Sequence, residues 1–445
     1  MNLLTGKIKS LYFKYLSAAF GSALISCIYG VVDMAMVGKY QGPNGTAALA
    51  VVAPVWNIIY SLGLLMGIGG SVIFSTKRGN KEKNDGKENQ YFSASVIGSV
   101  VLAIIAWILV IVFENQILTF FGADETLLDL AKRYMQPIKY VFPLYLFNQM
   151  LAAFLRNDNN PGLATVGVLS GGIFNVFGDY FFVFTCDMGI YGAGLATAIG
   201  AAISFVVLLS HFFTRKNTLR FVKIEKPFTK FREISVTGFS TFFIDVAMGI
   251  LTVLFNRQIM KYLGSNALAI YGPIINVSTF VQCCAYSVGQ AAQPIISVNF
   301  GAGQGKRIKE TLKLTIWTTV FFGVFWTALS MAFPNLYIHI FMTPTEEILQ
   351  MAPSIIRSYG ISFILLPFNI FSTYYFQAIM KPKAAFVVSV ARGLVISGAL
   401  IIILPLIFNA NILWFAMPIT ELIVLIYSAI MMKKYTTALP ERSTL

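Results

Sequence analysis

Apolar residues run along this chain in unbroken blocks, with short polar or basic stretches between them and no two-residue alternation. The stretches 16–37, 47–73, 92–113, 161–186 and 383–408 each hold at most two charged residues. A helix needs roughly 20 such residues to cross about 30 Å of hydrocarbon. Inside a bilayer every backbone amide must be paired, which leaves helices or closed barrels. A barrel strand would show about ten residues of alternation instead. The pattern therefore predicts an all-α integral membrane protein. Its twelve transmembrane helices fall near 15–37, 47–75, 92–113, 128–155, 162–185, 190–213, 236–262, 267–298, 312–333, 347–380, 383–408 and 411–432.

Composition agrees: 57% of the 445 residues are hydrophobic and 12% charged, about half the charge of a soluble domain. The net charge of +14 would suit nucleic acid, but its distribution points elsewhere. Basic residues collect at both termini and in alternate loops. The loop after helix 2 holds Lys77, Arg78, Lys81, Lys83 and Lys87, and the loop after helix 6 holds Arg215, Lys216, Arg220, Lys223, Lys226, Lys230 and Arg232. The opposite loops carry only Lys39 and Lys261. This asymmetry is the positive-inside rule and puts both termini in the cytoplasm. The charge reads as topology and contact with anionic headgroups, not as a nucleic-acid surface. The N-terminus shows no cleavage-site pattern and reads as a tail leading into helix 1. Cys27, Cys186, Cys283 and Cys284 lie in or beside apolar spans and read as packing residues. His211 and His339 form no cluster for metal or nucleophilic chemistry.

The chain reads as a duplication. Lys39-Tyr40-Gln41-Gly42 recurs as Lys261-Tyr262-Leu263-Gly264, and Ala48-Leu49-Ala50 before Pro54 recurs as Ala267-Leu268-Ala269 before Pro273. Gly67 and Gly79 answer to Gly289 and Gly301, and Pro143 to Pro367. Six helices per repeat is an even number, so the halves share one orientation, related by a pseudo-two-fold axis along the membrane normal. The expected domains are an N-terminal lobe at 1–214, a cytoplasmic linker at 215–235 and a C-terminal lobe at 236–445.

Acids inside a membrane are costly and mark functional sites by default. Asp33 on helix 1, Asp179 on helix 5 and Thr197 on helix 6 each lie about six or seven residues from the outer end, roughly 10 Å deep at 1.5 Å per residue. Asn175 precedes Asp179 by one helical turn and shares its face. Two carboxylates, an amide oxygen and a hydroxyl thus meet at one depth. That set suits a monovalent cation with oxygen ligands. It equally suits a proton, because two close carboxylates in low dielectric resist ionising together. The alternative is a packing device satisfied by local hydrogen bonds. Asp245 on helix 7 and Glu421 on helix 12 lie nearer mid-membrane, as does Arg392 on helix 11. They make either a structural ion pair or a second coupling or substrate-binding acid. Asn148 on helix 4 is either a cavity residue or helix–helix glue.

In order along the chain, VVDMAMVG on helix 1, Gly67-Ile68-Gly69-Gly70 with its basic loop, Asn175-x-x-x-Asp179-Tyr180, GAGLATAIG on helix 6, Phe300-Gly301-Ala302-Gly303, and Trp414…Pro418…Glu421 resemble the multidrug and toxic compound extrusion (MATE) family over nearly the whole length. It looks closest to the bacterial branch with an acidic cation site in the first lobe. The resemblance implies an alternating-access antiporter of the bacterial cytoplasmic membrane, monomeric, exporting small organic cations in exchange for H⁺ or Na⁺. It implies Asp33, Asn175, Asp179 and Thr197 as ligands of the coupling ion, and no cofactor besides that ion. Asn369 stands on helix 10 where relatives with a second-lobe Na⁺ site carry an acid, so it is placed with Asn148 as a cavity residue. A flippase for a lipid-linked amphiphile is the alternative; its cavity would be strongly cationic, whereas this first lobe is acidic. An intramembrane transferase would need paired Asp-rich motifs or a histidine. Arg156-Asn157-Asp158-Asn159-Asn160 lacks the second Asp, so no enzyme is expected.

Overall fold

The computed structural model describes residues 3–80, 86–341 and 344–439. Lys81 and Lys83 of the predicted basic loop lie outside the described residues. Every regular element among those described is helical. Eleven helices are long and apolar enough to cross a membrane, and one sharply bent pair makes a twelfth.

Contacts divide the chain into two compact units, Ser17–Phe242 with the first three residues, and Leu4–Leu16 with Phe243–Leu445. The helices of the first half are α1 (Ile8–Gln41), α2 (Pro43–Gly79), α3 (Asn89–Val112), the short α4 (Glu114–Phe120), α5 (Glu125–Ile138), α6 (Phe142–Asn157), α7 (Pro161–Tyr180) and α8 (Gly189–Leu209). Those of the second half are α9 (Pro227–Tyr262), α10 (Ser265–Gly301), α11 (Gly305–Ala332), the short α12 (Pro334–Phe341), α13 (Glu346–Gly360), α14 (Leu366–Ala378), α15 (Pro382–Val390), α16 (Ile396–Ile407) and α17 (Ala416–Thr437). Helices α1 and α9 each contribute to both units.

The repeat seen in the sequence recurs in the elements. Gly42 and Gly264 cap the 37-residue helices α2 and α10 with positive φ, 72° and 82°, a conformation glycine adopts without strain. Asp124 caps α5 by accepting from the Leu127 amide at 2.8 Å, and Thr345 caps α13 by accepting from the Ile348 amide at 3.4 Å. Each cap satisfies an amide that the first helical turn leaves open.

The predicted helix at 128–155 is broken. α5 and α6 meet at 59° across Lys139–Val141. Pro137 and Pro143 flank the break, and each removes a backbone donor and crowds the preceding turn. Other predicted spans are too short. α9 starts at Pro227 rather than 236, and α11 at Gly305 rather than 312. Charge was read as the end of a helix, but long basic side chains can reach the interface from a turn or more inside it.

The outward faces are apolar. On α3, Val101, Ile104, Ile108 and Val112 are about half exposed, a continuous hydrophobic surface that suits hydrocarbon and not water.

At the basic end of the first unit, Asp158 is fully buried. It accepts from Arg78 Nη1 at 2.7 Å, His211 Nε2 at 2.8 Å, the Thr218 amide at 2.9 Å and the Thr218 hydroxyl. Asn160 meets the other His211 ring nitrogen at 3.0 Å. Past Thr218 the chain runs along α3. The amides of Arg220, Val222 and Glu225 donate to Asn89 Oδ1, Ser93 Oγ and Gln90 Oε1 at 2.9, 2.8 and 3.2 Å.

Burial alone would raise the Asp158 carboxyl. The bonds from His211 and Thr218 and the charge of Arg78 outweigh it and hold the group below the ordinary carboxylate range. A depressed folded pKa contributes stability in full above the unfolded value near 3.9, which is lost as pH falls through the folded value. Asp158→Ala should therefore cost about 3 kcal/mol, the scale of a broken buried pair. The loss should persist at pH 5 and shrink only in stronger acid, as read by thermal melting of the purified protein.

Candidate functional site

Within the first unit, α7 and α8 touch backbone to backbone. A Cβ added at Gly171 would lie 2.3 Å from the Gly200 carbonyl oxygen and 2.1 Å from Ser204 Oγ. Small residues permit this approach between membrane helices. One turn further along α7, it places Asn175 beside Thr197 of α8. α5 reaches α8 in the same way, since a Cβ at Gly194 would lie 2.2 Å from the Tyr134 carbonyl oxygen. Gly171→Ala should lower thermal stability by about 1–3 kcal/mol, the usual cost of overpacking. Gly30→Ala, with nothing within 4 Å of the added carbon, should not; paired melting curves of the two variants decide it.

The four residues singled out together come together. Asn175 Nδ2 donates to Thr197 Oγ1 at 3.0 Å and to Asp179 Oδ1 at 3.4 Å. Thr197 in turn donates to the Ala193 carbonyl at 3.1 Å. Asp33 and Asp179 are 5% and 0% exposed. Tyr134 Oη donates to Asp33 Oδ2 at 2.5 Å. Three buried oxygens around this point find no donor: Asp33 Oδ1, Asp179 Oδ2 and Asn175 Oδ1. Orphaned acceptors at this density are costly, and a proton or a small cation would satisfy them.

Asp33, Asn175 and Thr197 also line a cavity of about 250 Å³ in the first unit. Its wall is aromatic. Trp56 packs edge-on against Tyr145, 4.4 Å between ring centres, and Tyr145 Oη meets Tyr29 Oη at 3.3 Å. Aromatic faces attract cations held near them. Asn148 lines the same cavity; its Nδ2 donates to the Ala201 carbonyl at 2.9 Å and its Oδ1 is unpaired.

The second unit differs. Glu421 is fully buried and accepts from Arg392 Nε at 2.8 Å and from Asn369 Nδ2 at 2.7 Å. Asn369 also donates to the Glu421 carbonyl at 2.8 Å and is itself fully buried. Asp245 accepts from Tyr286 Oη at 3.0 Å. The structure thus joins Asn369 to the Arg392–Glu421 pair.

Tyr134 was not among the residues the sequence pointed to, because it follows Lys132 and Arg133 in a polar amphipathic stretch and not an intramembrane run. The depth argument used for Thr197 applies to helix 4 as well. Tyr134 lies nine residues into α5, roughly 13 Å from its start, and this would have placed it with the acids.

The sequence model of the MatE family matches residues 18–181 and 240–403, one match in each half of the chain. The chain is 26% identical over 396 residues to the multidrug export protein MepA of Staphylococcus haemolyticus, covering 88% of this chain and 86% of that protein. It is 25% identical over 395 residues to MepA of Staphylococcus aureus, with the same coverage. Its fold matches the outward-facing conformation of a multidrug resistance MATE family transporter of the MOP superfamily with TM-score 0.88 and 18% identity, over 98% of both chains. A doubled family match, the helical fold and the repeated elements agree, and the chain belongs to the MatE family.

Proposed function

We propose that this protein is a secondary multidrug antiporter of the bacterial cytoplasmic membrane, exporting amphiphilic organic cations in exchange for inward H⁺ or Na⁺. One observation carries the reading: one oxygen on each of two buried carboxylates, and a buried amide oxygen, lack donors beside an aromatic-walled cavity. The names of the staphylococcal relatives support the export of drugs. Asp33, Asp179, Asn175 and Thr197 hold the coupling ion. The organic cation is attracted by the Asp33 carboxylate and the rings of Trp56, Tyr29 and Tyr145.

The lobes 1–214 and 236–445, joined by the linker 215–235, alternate in access, with both termini cytoplasmic and the protein acting as a monomer. When the coupling ion neutralises the acid pair, affinity for the cationic drug falls and the drug leaves outward. Coupling requires that each ligand bind the two conformations unequally. The buried orphan oxygens supply that inequality for the ion, because they are satisfied only when it is present.

The test is transport of a fluorescent cation such as ethidium in proteoliposomes, with a pH gradient and a Na⁺ gradient imposed separately. Dye movement driven by one gradient names the ion. If neither gradient moves dye through folded protein, the drug-export reading fails and the lipid-linked flippase is the one to test. Tyr134→Phe removes the donor to Asp33. It should shift the ion concentration for half-maximal export about tenfold, the worth of a hydrogen bond to a charged group, without reducing the yield of folded protein.

A further inference from the structure

At the basic end of the second unit, an open indentation of about 270 Å³ on α11 is lined by Lys309, Leu312, Lys313, Ile316 and Trp317, with Thr436 of α17 at its edge. We propose that it binds the headgroup of an anionic phospholipid from the adjoining leaflet. The two lysines stand one turn apart on α11 and both are exposed. Leu312 and Ile316 lie between and below them. Thr436 comes from the last turn of α17, and its hydroxyl is held by Tyr375 Oη at 2.6 Å.

Charge at this end is mostly positive. Lys306 and Arg307 lie on the first turn of α11, and Lys433 and Lys434 on the last turns of α17. The sole acid on α11, Glu310, is not among the lining residues. Lysines clustered at the edge of an apolar span attract anionic headgroups.

The depth is also right for a lipid rather than a soluble anion. Trp317 lies two turns beyond Lys309, about 12 Å along the axis, and is 67% exposed. Tryptophan at the boundary of an apolar span sits at headgroup level. Beyond it, Val320, Phe321, Val324 and Phe325 form an exposed apolar rail, with Phe321 and Phe325 stacked at 6.4 Å. A phosphate held by the lysines would leave its acyl chains on that rail. A free phosphate would use the lysines and leave the rail without a role.

The test uses the full chain in nanodiscs and the fluorescence of Trp317, taken as the difference between wild type and Trp317→Phe. Brominated phosphatidylglycerol and brominated phosphatidylcholine serve as quenchers. Trp317 should be quenched at about thirtyfold lower mole fraction of the anionic lipid, the scale expected for two lysines near a charged surface. In Lys309→Gln/Lys313→Gln the two lipids should quench alike; continued quenching by phosphatidylcholine shows that α11 is still folded and in the bilayer. Equal quenching of the wild type by both lipids would overturn the proposal, as would a preference that survives in the double variant. Loss of the preference on adding inorganic phosphate, but not sodium chloride of equal ionic strength, would assign the site to free phosphate and also overturn it.

Discussion

Asp33→Asn and Asp179→Asn should each reduce gradient-driven export of a cationic dye to the passive leak, with folded protein recovered at wild-type yield. An amide has nearly the shape of the carboxyl it replaces, so packing around α1, α7 and α8 is kept. What it loses is the ability to change charge with the coupling ion. In the wild type, Asp33 Oδ1, Asp179 Oδ2 and Asn175 Oδ1 lack donors, and the arriving ion supplies what is missing. An asparagine at either position brings its own N–H donors. The pair then needs no ion, and the two conformations no longer differ in ion affinity, which is the condition for coupling. The measurement is dye flux in proteoliposomes under the gradient that drives the wild type. Full-speed transport in both variants would remove the first-unit site from the mechanism and move attention to Asp245 and Glu421.

Glu421→Ala should act on folding rather than on coupling. The side chain is fully buried, neutralises Arg392 at 2.8 Å and holds Asn369. Removing it leaves a guanidinium that is 5% exposed without its anion, a loss of about 3–5 kcal/mol for a buried pair broken on one side. That is a large fraction of the roughly 5–15 kcal/mol by which domains are stable. The yield of monodisperse protein in detergent should collapse. Replacing both members by apolar residues, Arg392→Met with Glu421→Leu, should restore the yield, because a buried ion pair is often no more stabilising than hydrophobic packing of similar volume. Export by that rescued variant separates scaffolding from transport. If it still moves dye with the gradient, the pair is structural; if it is folded and inactive, Glu421 takes part in the transport cycle.

The transmembrane pattern and the first-unit acids were legible because both rest on one-dimensional quantities. Hydrocarbon thickness sets the length of an apolar run, and counting residues from a helix end sets depth. Asp33, Asn175, Asp179 and Thr197 could be grouped on that basis alone; in the structure Asn175 bonds to both Asp179 and Thr197, and Asp33, Asn175 and Thr197 line one cavity. The break between α5 and α6 has a sequence signal in Pro137 and Pro143, which a count of residues long enough to cross the bilayer does not use. Arg392 with Glu421 was one of two readings at matched depth. The addition of Asn369 needed knowledge of which helix faces which, and no spacing rule supplies it.

The Asp158 cluster was hidden for a different reason. Arg156–Asn160 was weighed only as a metal motif and set aside for want of a second acid. Its partners Arg78, His211 and Thr218 lie 80, 53 and 60 residues away. Buried ion pairs assembled from a helix end and distant connections leave no local trace beyond polar residues in a short connection, and such residues are ordinarily solvated.

Because α1 and α9 each belong to both compact units, the inherited repeat and the folded bodies are out of register. A gene split within 215–235 would deliver two polypeptides, neither of which is a whole unit. The N-terminal product would lack the opening turns of α9 up to Phe242, and the C-terminal product would lack Leu4–Leu16. Moving the cut to the unit boundary would sever α9 in mid-helix. No single break in the coding sequence therefore returns both compact units whole.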